Sequence, residues 1–252
     1  MAEHRRPPHR GCGRRFAPRR PVPVPGDTTM KDWMEQLWRT LRGPVVTVTA
    51  VAALLVLVQL LSFFINTLSA ADLYVLGIRP RDLSGMTGVV TAPLIHHGFG
   101  HLFANLTPLV VLALLILLEG QRRFWLVTGL VVVLSGLTLW TLGSASKVYL
   151  GASGLVFGYL GYVLARAFIV RNPIWIVAGI AVAVVYAGVV ASLFTFSPHV
   201  SWLGHAAGMA AGVMIALRFP AQPPSWSIAD PAVRRIDPAS ERLQQRRGLG
   251  LD

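Results

Sequence analysis

Charge, acid and cysteine are all scarce in this chain. Charged residues make up 13% of its 252 positions, and Asp and Glu together number 11. A soluble domain carries about twice that charged fraction, so the composition excludes a chain covered by water on all sides. The one cysteine, Cys12, excludes an intrachain disulfide and a CxxC metal pair. No Asp or Glu interrupts the long apolar runs, which removes carboxylates from any chemistry inside them. What fills the chain is apolar: 54% of residues are hydrophobic, and the mean hydropathy is +0.57.

Those runs predict six membrane spans, at about 45–65, 99–118, 124–142, 150–170, 174–196 and 201–219, each near the ~20 residues a bilayer core requires. The fold class is therefore all-α, a polytopic membrane protein whose solvent and partner is the lipid bilayer. Trp125, Trp140, Trp175 and Trp202 fall at span ends, as an aromatic belt predicts. Before the first span, Asp32 to Leu41 puts Trp33, Met34, Leu37, Trp38 and Leu41 on one helical face, the pattern of a helix lying in the interface plane. Residues 1 to about 29 are Arg- and Pro-rich and cannot bury a core. The domain division is thus a basic arm with a short interfacial helix over 1–42, a membrane domain over 43–219 and a polar, disordered cytoplasmic tail over 220–252.

The net charge of +12 does not point to nucleic acid, because the basic residues sit in tails and short loops rather than on an aromatic-interleaved recognition element. They point to topology. Twenty Lys and Arg fall in the arm, the tail and the links after spans two and four, against three, Arg79, Arg81 and Lys147, on the other side. Both termini are then cytoplasmic in a cell membrane. The link at about 66–98 lies outside and, with its glycines and prolines among apolar residues, reads as structured and partly membrane-dipping.

Polar groups inside spans are costly and therefore functional candidates. His101 and Asn105 open span two, Ser153 opens span four within Gly151-Ala152-Ser153-Gly154, and His205 opens span six. All three spans enter from the outer face. Ser153 about four residues in and His205 about five share a depth of roughly 6 to 8 Å. Asn105 follows His101 by four residues, on the same helix face. Gly154 and Gly158, and Gly208 and Gly212, give spans four and six a GxxxG face each. Close packing there brings Ser153 within reach of His205, the nucleophile and base arrangement a hydroxyl needs.

GASG at 151–154, HxxxN at His101–Asn105 and HxxGxxxG at His205–Gly212, on six spans of this spacing, resemble the rhomboid intramembrane serine proteases over about residues 45–219. The resemblance implies a six-span rhomboid-like bundle and a Ser153/His205 dyad with no third acidic residue and no cofactor. Its substrates would be transmembrane-helix proteins, cleaved within the membrane at a site open to the extracytoplasmic side. It also implies that His101, Asn105 and the Ser153 backbone N–H bind the oxyanion, and His96 matches a histidine of the family stretch. The family's Trp-Arg pair in the first external loop is absent, since residues 66–98 contain no Trp.

Other readings fit less well. A soluble nucleophile elbow needs GxSxG, and residue 155 is Leu. A metal site of His96, His97, His101 and His205 lacks carboxylates, and HxxxN replaces HxxxH. A transporter gathers its polar groups near the midplane. The remaining rival is a catalytically silent rhomboid-like protein that binds client helices. His97, His199, Asn66 and Asn172 read as interface residues, and Glu119 as part of a cytoplasmic loop.

Overall fold

The computed structural model describes residues 29–69, 72–191 and 201–221. The basic arm before Thr29, His199 and the tail after Ala221 lie outside the described residues. The chain divides into two units, Met1–Leu37 and Trp38–Asp252. In the first, Thr29 and Asp32 cap the start of a helix reciprocally: the Thr29 N–H donates to Asp32 Oδ2 at 3.0 Å and the Asp32 N–H to Thr29 Oγ1 at 3.3 Å.

That helix, α1, spans Met30–Leu68 with Pro44 inside it. The separate interfacial helix and first span expected from the sequence are therefore one helix; Gly43-Pro44 does not break it. The other helices are α2 (Gly88–Thr91), α3 (Phe99–Leu117), α4 (Gln121–Leu142), α5 (Ser153–Val170), α6 (Pro173–Val185), α7 (Ala187–Ala191) and α8 (Trp202–Arg218). Among the described residues there is no strand, only an isolated bridge between Ile78 and Tyr149. Four helices, α1, α3, α4 and α5, are long and apolar enough to cross a membrane. Over the expected fifth span, 174–196, the described residues form α6, a turn at Tyr186 and α7, and residues 192–196 lie outside the described residues.

Helix α5 is the centre of the second unit, packed by α3, α4, α6 and α8. Its residues Leu155 to Val163 are all buried, and they join Leu102, Leu112, Ile116, Val127 and Val131 in one core. The contact with α8 is made backbone to backbone. A Cβ on Gly208 would strike the Gly154 carbonyl and one on Gly212 the Gly158 carbonyl. The α5 glycines differ from the expected matching GxxxG face: the missing Cβ of Gly154 looks toward Ser135 and Gly204, and that of Gly158 toward Val131 of α4.

At the end away from Ser153, Glu119 lies in the turn between α3 and α4 and is buried. Its carboxylate, 1% exposed, meets Arg166 Nε at 2.9 Å and Arg123 Nε at 3.3 Å, and accepts from the Tyr162 hydroxyl at 2.9 Å. Arg166, inside α5, also donates to the carbonyls of Ala216 and Phe219 at the end of α8. Trp175 is buried rather than part of a belt, whereas Trp125 and Trp202 are exposed.

Candidate active site

The link from Asp72 to Gly98 is ordered by local caps. Asp72 and Asp82 each accept the backbone N–H two residues on, from Tyr74 at 2.8 Å and Ser84 at 2.9 Å, and open short 3₁₀ turns at Leu73–Leu76 and Leu83–Gly85. The Ser84 hydroxyl and N–H on Asp82 hold its carboxyl below the usual carboxylate range. Two anchors then tie the link to the C-terminal end of α4: the Trp140 indole donates to the Asp82 carbonyl at 2.9 Å, and Arg81, at φ +60°, donates to the carbonyls of Thr141 and Gly143.

This ordered link straps down the approach to Ser153. Ile78 and Tyr149 exchange backbone hydrogen bonds at 3.0 Å, and the Gly151 N–H donates to the Ala92 carbonyl at 2.9 Å. The buried His96 accepts the Ala152 N–H on Nε2 at 3.3 Å. That bond needs a neutral imidazole, and burial, helped by the neighbouring His101, pushes His96 down to about 4. Gly151 has φ +102° and lies against the His101 ring, where a Cβ would sit 2.7 Å from Cε1. Conformation and space both require glycine there.

Ser153 is the first residue of α5. Its N-cap, Ala152, has no side-chain oxygen to cap the helix, so the first N–H groups of α5 keep no side-chain partner. His205, the fourth residue of α8, is buried, and its ring stacks on Phe157 at 4.2 Å and 20°. Phe157 is one turn after Ser153 on the same face, a pairing the sequence analysis did not single out although the four-residue spacing carries it. Asn105 Nδ2 donates to the His101 carbonyl at 3.1 Å and is 3.6 Å from the position of a Gly151 Cβ.

Ser153, His205, His101 and Asn105 line one cavity of about 720 Å³, with Phe157, Ser201 and Lys147 to Leu150. No hydrogen bond joins Ser153 Oγ to His205, and His205 Nδ1 is buried with no partner among the described residues. His96, by contrast, lies behind the loop and touches the site through Ala152 and the His101 ring, 5.3 Å away. Among the described residues no three His, Cys, Asp or Glu side chains gather in a metal-binding group. The arrangement can present a hydroxyl, an imidazole and several N–H donors to one bound group.

Apolar helices of spanning length around a cavity lined by a serine and a histidine define a polytopic membrane protein. The Rhomboid domain family matches residues 84–221. An uncharacterized protein of Mycobacterium tuberculosis is 39% identical over 178 residues, covering 68% of this chain and 72% of its own length, and one of Mycobacterium bovis matches to the same extent. An uncharacterized protein of Mycobacterium leprae is 35% identical over 179 residues, 68% of this chain and 69% of its own. The chain belongs to the rhomboid family.

Proposed function

We propose that the protein is an intramembrane serine endopeptidase that hydrolyses peptide bonds in or near transmembrane helices of membrane-protein substrates. Ser153 attacks the carbonyl as His205 takes its proton; the C–N bond breaks as His205 passes that proton to the leaving amine, and water that His205 activates then hydrolyses the acyl-enzyme and restores the Ser153 hydroxyl. The developing oxyanion is met by the Asn105 amide, the His101 imidazole and the Ser153 N–H at the uncapped start of α5. Six membrane crossings, with both termini cytoplasmic, open the cavity to the extracytoplasmic side.

The observation that carries this reading is the single cavity shared by Ser153, His205, His101 and Asn105 at the N-terminus of α5. The backbone beside it supports a peptide substrate. Tyr149 turns both its N–H and its carbonyl to Ile78, so the flanking Val148 and Leu150, which line the cavity, direct theirs the other way, as alternate residues of extended chain do. An unwound substrate can pair along that edge.

One observation favours a second reading, a rhomboid-like protein that binds client helices without cutting them: the Ser153 hydroxyl and His205 are not hydrogen-bonded. Uncomplexed serine enzymes also show long nucleophile-base contacts that tighten on substrate. Labelling the purified protein with a serine-directed fluorophosphonate tests the choice. The expected result is labelling of wild type and none of Ser153→Ala or His205→Ala; an unlabelled wild type that still captures transmembrane helices favours the client-binding reading.

A further inference from the structure

The turn ahead of Ser153 is held by hydrogen bonds. Gly151, at φ +102°, has the rotational freedom of glycine, and Ala152 carries only a methyl group. What fixes the turn is the link between α1 and α3: the Gly151 N–H donates to the Ala92 carbonyl at 2.9 Å, and the Ala152 N–H to His96 Nε2 at 3.3 Å. The next N–H in the chain, that of Ser153, opens α5 and takes no side-chain cap. His96 is fully buried, and its ring meets the His101 ring edge-on, at 5.3 Å and 71°. One imidazole behind the cavity wall therefore touches both the turn that carries Ser153 and a side chain that lines the cavity.

Resting on the endopeptidase reading above, we propose that His96 is a positioning residue: by accepting the Ala152 N–H it sets the direction of the Ser153 hydroxyl and N–H relative to His205 and His101. His96 touches no reacting atom. It acts through the peptide before the nucleophile, whose backbone has no other side-chain acceptor in this turn. Without that acceptor Gly151 and Ala152 can rotate, and the nucleophile and the oxyanion donor move together. A misplacement of about 1 Å costs on the order of 100-fold in rate. Bound substrate meets the same cavity walls either way, so the loss falls on kcat rather than on KM.

The test compares full-length wild type with three variants: His96→Gln, which offers a side-chain oxygen to the Ala152 N–H, His96→Phe, which keeps a ring but no acceptor, and His96→Ala. For each, kcat and KM on a single-span substrate are measured per folded molecule, beside the rate of Ser153 labelling by a fluorophosphonate and the melting temperature. His96→Ala and His96→Phe are expected to lower kcat by about tenfold to 100-fold, with KM within about twofold of wild type, and to slow labelling alike. His96→Gln is expected to recover most of both rates, whatever its melting temperature. A ring that only fills space predicts a different order, with His96→Phe recovering and His96→Gln not. His96→Gln no faster than His96→Phe, or a destabilised His96→Ala with wild-type kcat, overturns this inference and leaves the endopeptidase reading standing. A wild type that neither cuts the substrate nor takes the label overturns both.

Discussion

Two residues near the nucleophile separate chemistry from scaffold. If the Asn105 amide stabilises the oxyanion, its loss acts on the transition state rather than on bound substrate. Asn105→Ala should then lower kcat with little change in KM, by roughly tenfold to 100-fold. That is less than the ~100- to 1,000-fold typical of a single oxyanion donor, because His101 and the Ser153 N–H remain. An Asn105→Ala protein with wild-type turnover and a lowered melting temperature would limit Asn105 to holding α3. His96 sets a pH dependence of stability instead. Its folded value of about 4 lies below the ~6.5 of an exposed histidine, so the unfolded chain takes up this proton first as pH falls. The contribution is whole above about pH 6.5 and is lost progressively toward pH 4. Melting temperature in detergent should fall across that window, and less steeply in His96→Ala; parallel curves would show that other groups govern the fall.

Between elements, the α5/α8 contact rests on absent side chains and the opposite end of the same pair on a buried ion cluster. Gly208→Ala and Gly212→Ala force a methyl into the carbonyls of Gly154 and Gly158, an overpacking expected to cost about 1 to 3 kcal/mol each. Gly154→Ala meets only ordinary contacts at 3.5 Å or more, so its unfolding free energy should stay within about 1 kcal/mol of wild type. Comparable losses at Gly154 and Gly208 in a denaturation series would mean that the helices do not meet as described. At the other end, Glu119 answers two guanidinium groups, Arg123 and Arg166. Glu119→Gln leaves both buried without a counter-charge and should destabilise by about 3 to 5 kcal/mol. Because Arg166 also bonds the last carbonyls of α8, that loss should loosen the helix carrying His205, read as faster hydrogen exchange at its C-terminal end. Unchanged exchange in Glu119→Gln would confine the cluster to α4, α5 and the turn before α4.

For the whole molecule, the charge asymmetry predicts which end faces the cytoplasm. Of the twenty basic residues assigned to the inner side, Arg123 and Arg166 are buried in the ion cluster, and the remaining eighteen still outnumber Arg79, Arg81 and Lys147. In a Cys12→Ser background, a cysteine at Ser84 should react with an impermeant maleimide from the extracytoplasmic side; labelling only after the membrane is opened would invert the topology. The sequence by itself determined the membrane class, because long apolar runs have no other stable use. It also singled out His101, Asn105, Ser153 and His205, which share one cavity, since they stand out against apolar neighbours at helix starts, where a local pattern is enough. Helix ends were less legible: Pro44 did not divide α1, and α6 stops after 13 residues although hydropathy continues, because boundaries depend on what packs alongside. Only the tertiary structure decided that Phe157 stacks on His205, that His96 holds the Ala152 N–H, that Trp140 and Arg81 anchor the link between α1 and α3, and that Glu119 is buried. Apart from Ser153–Phe157 spacing, those partners come from segments far apart in the chain. A side chain's neighbours across such distances are set by how the helices pack, which no local run of residues encodes.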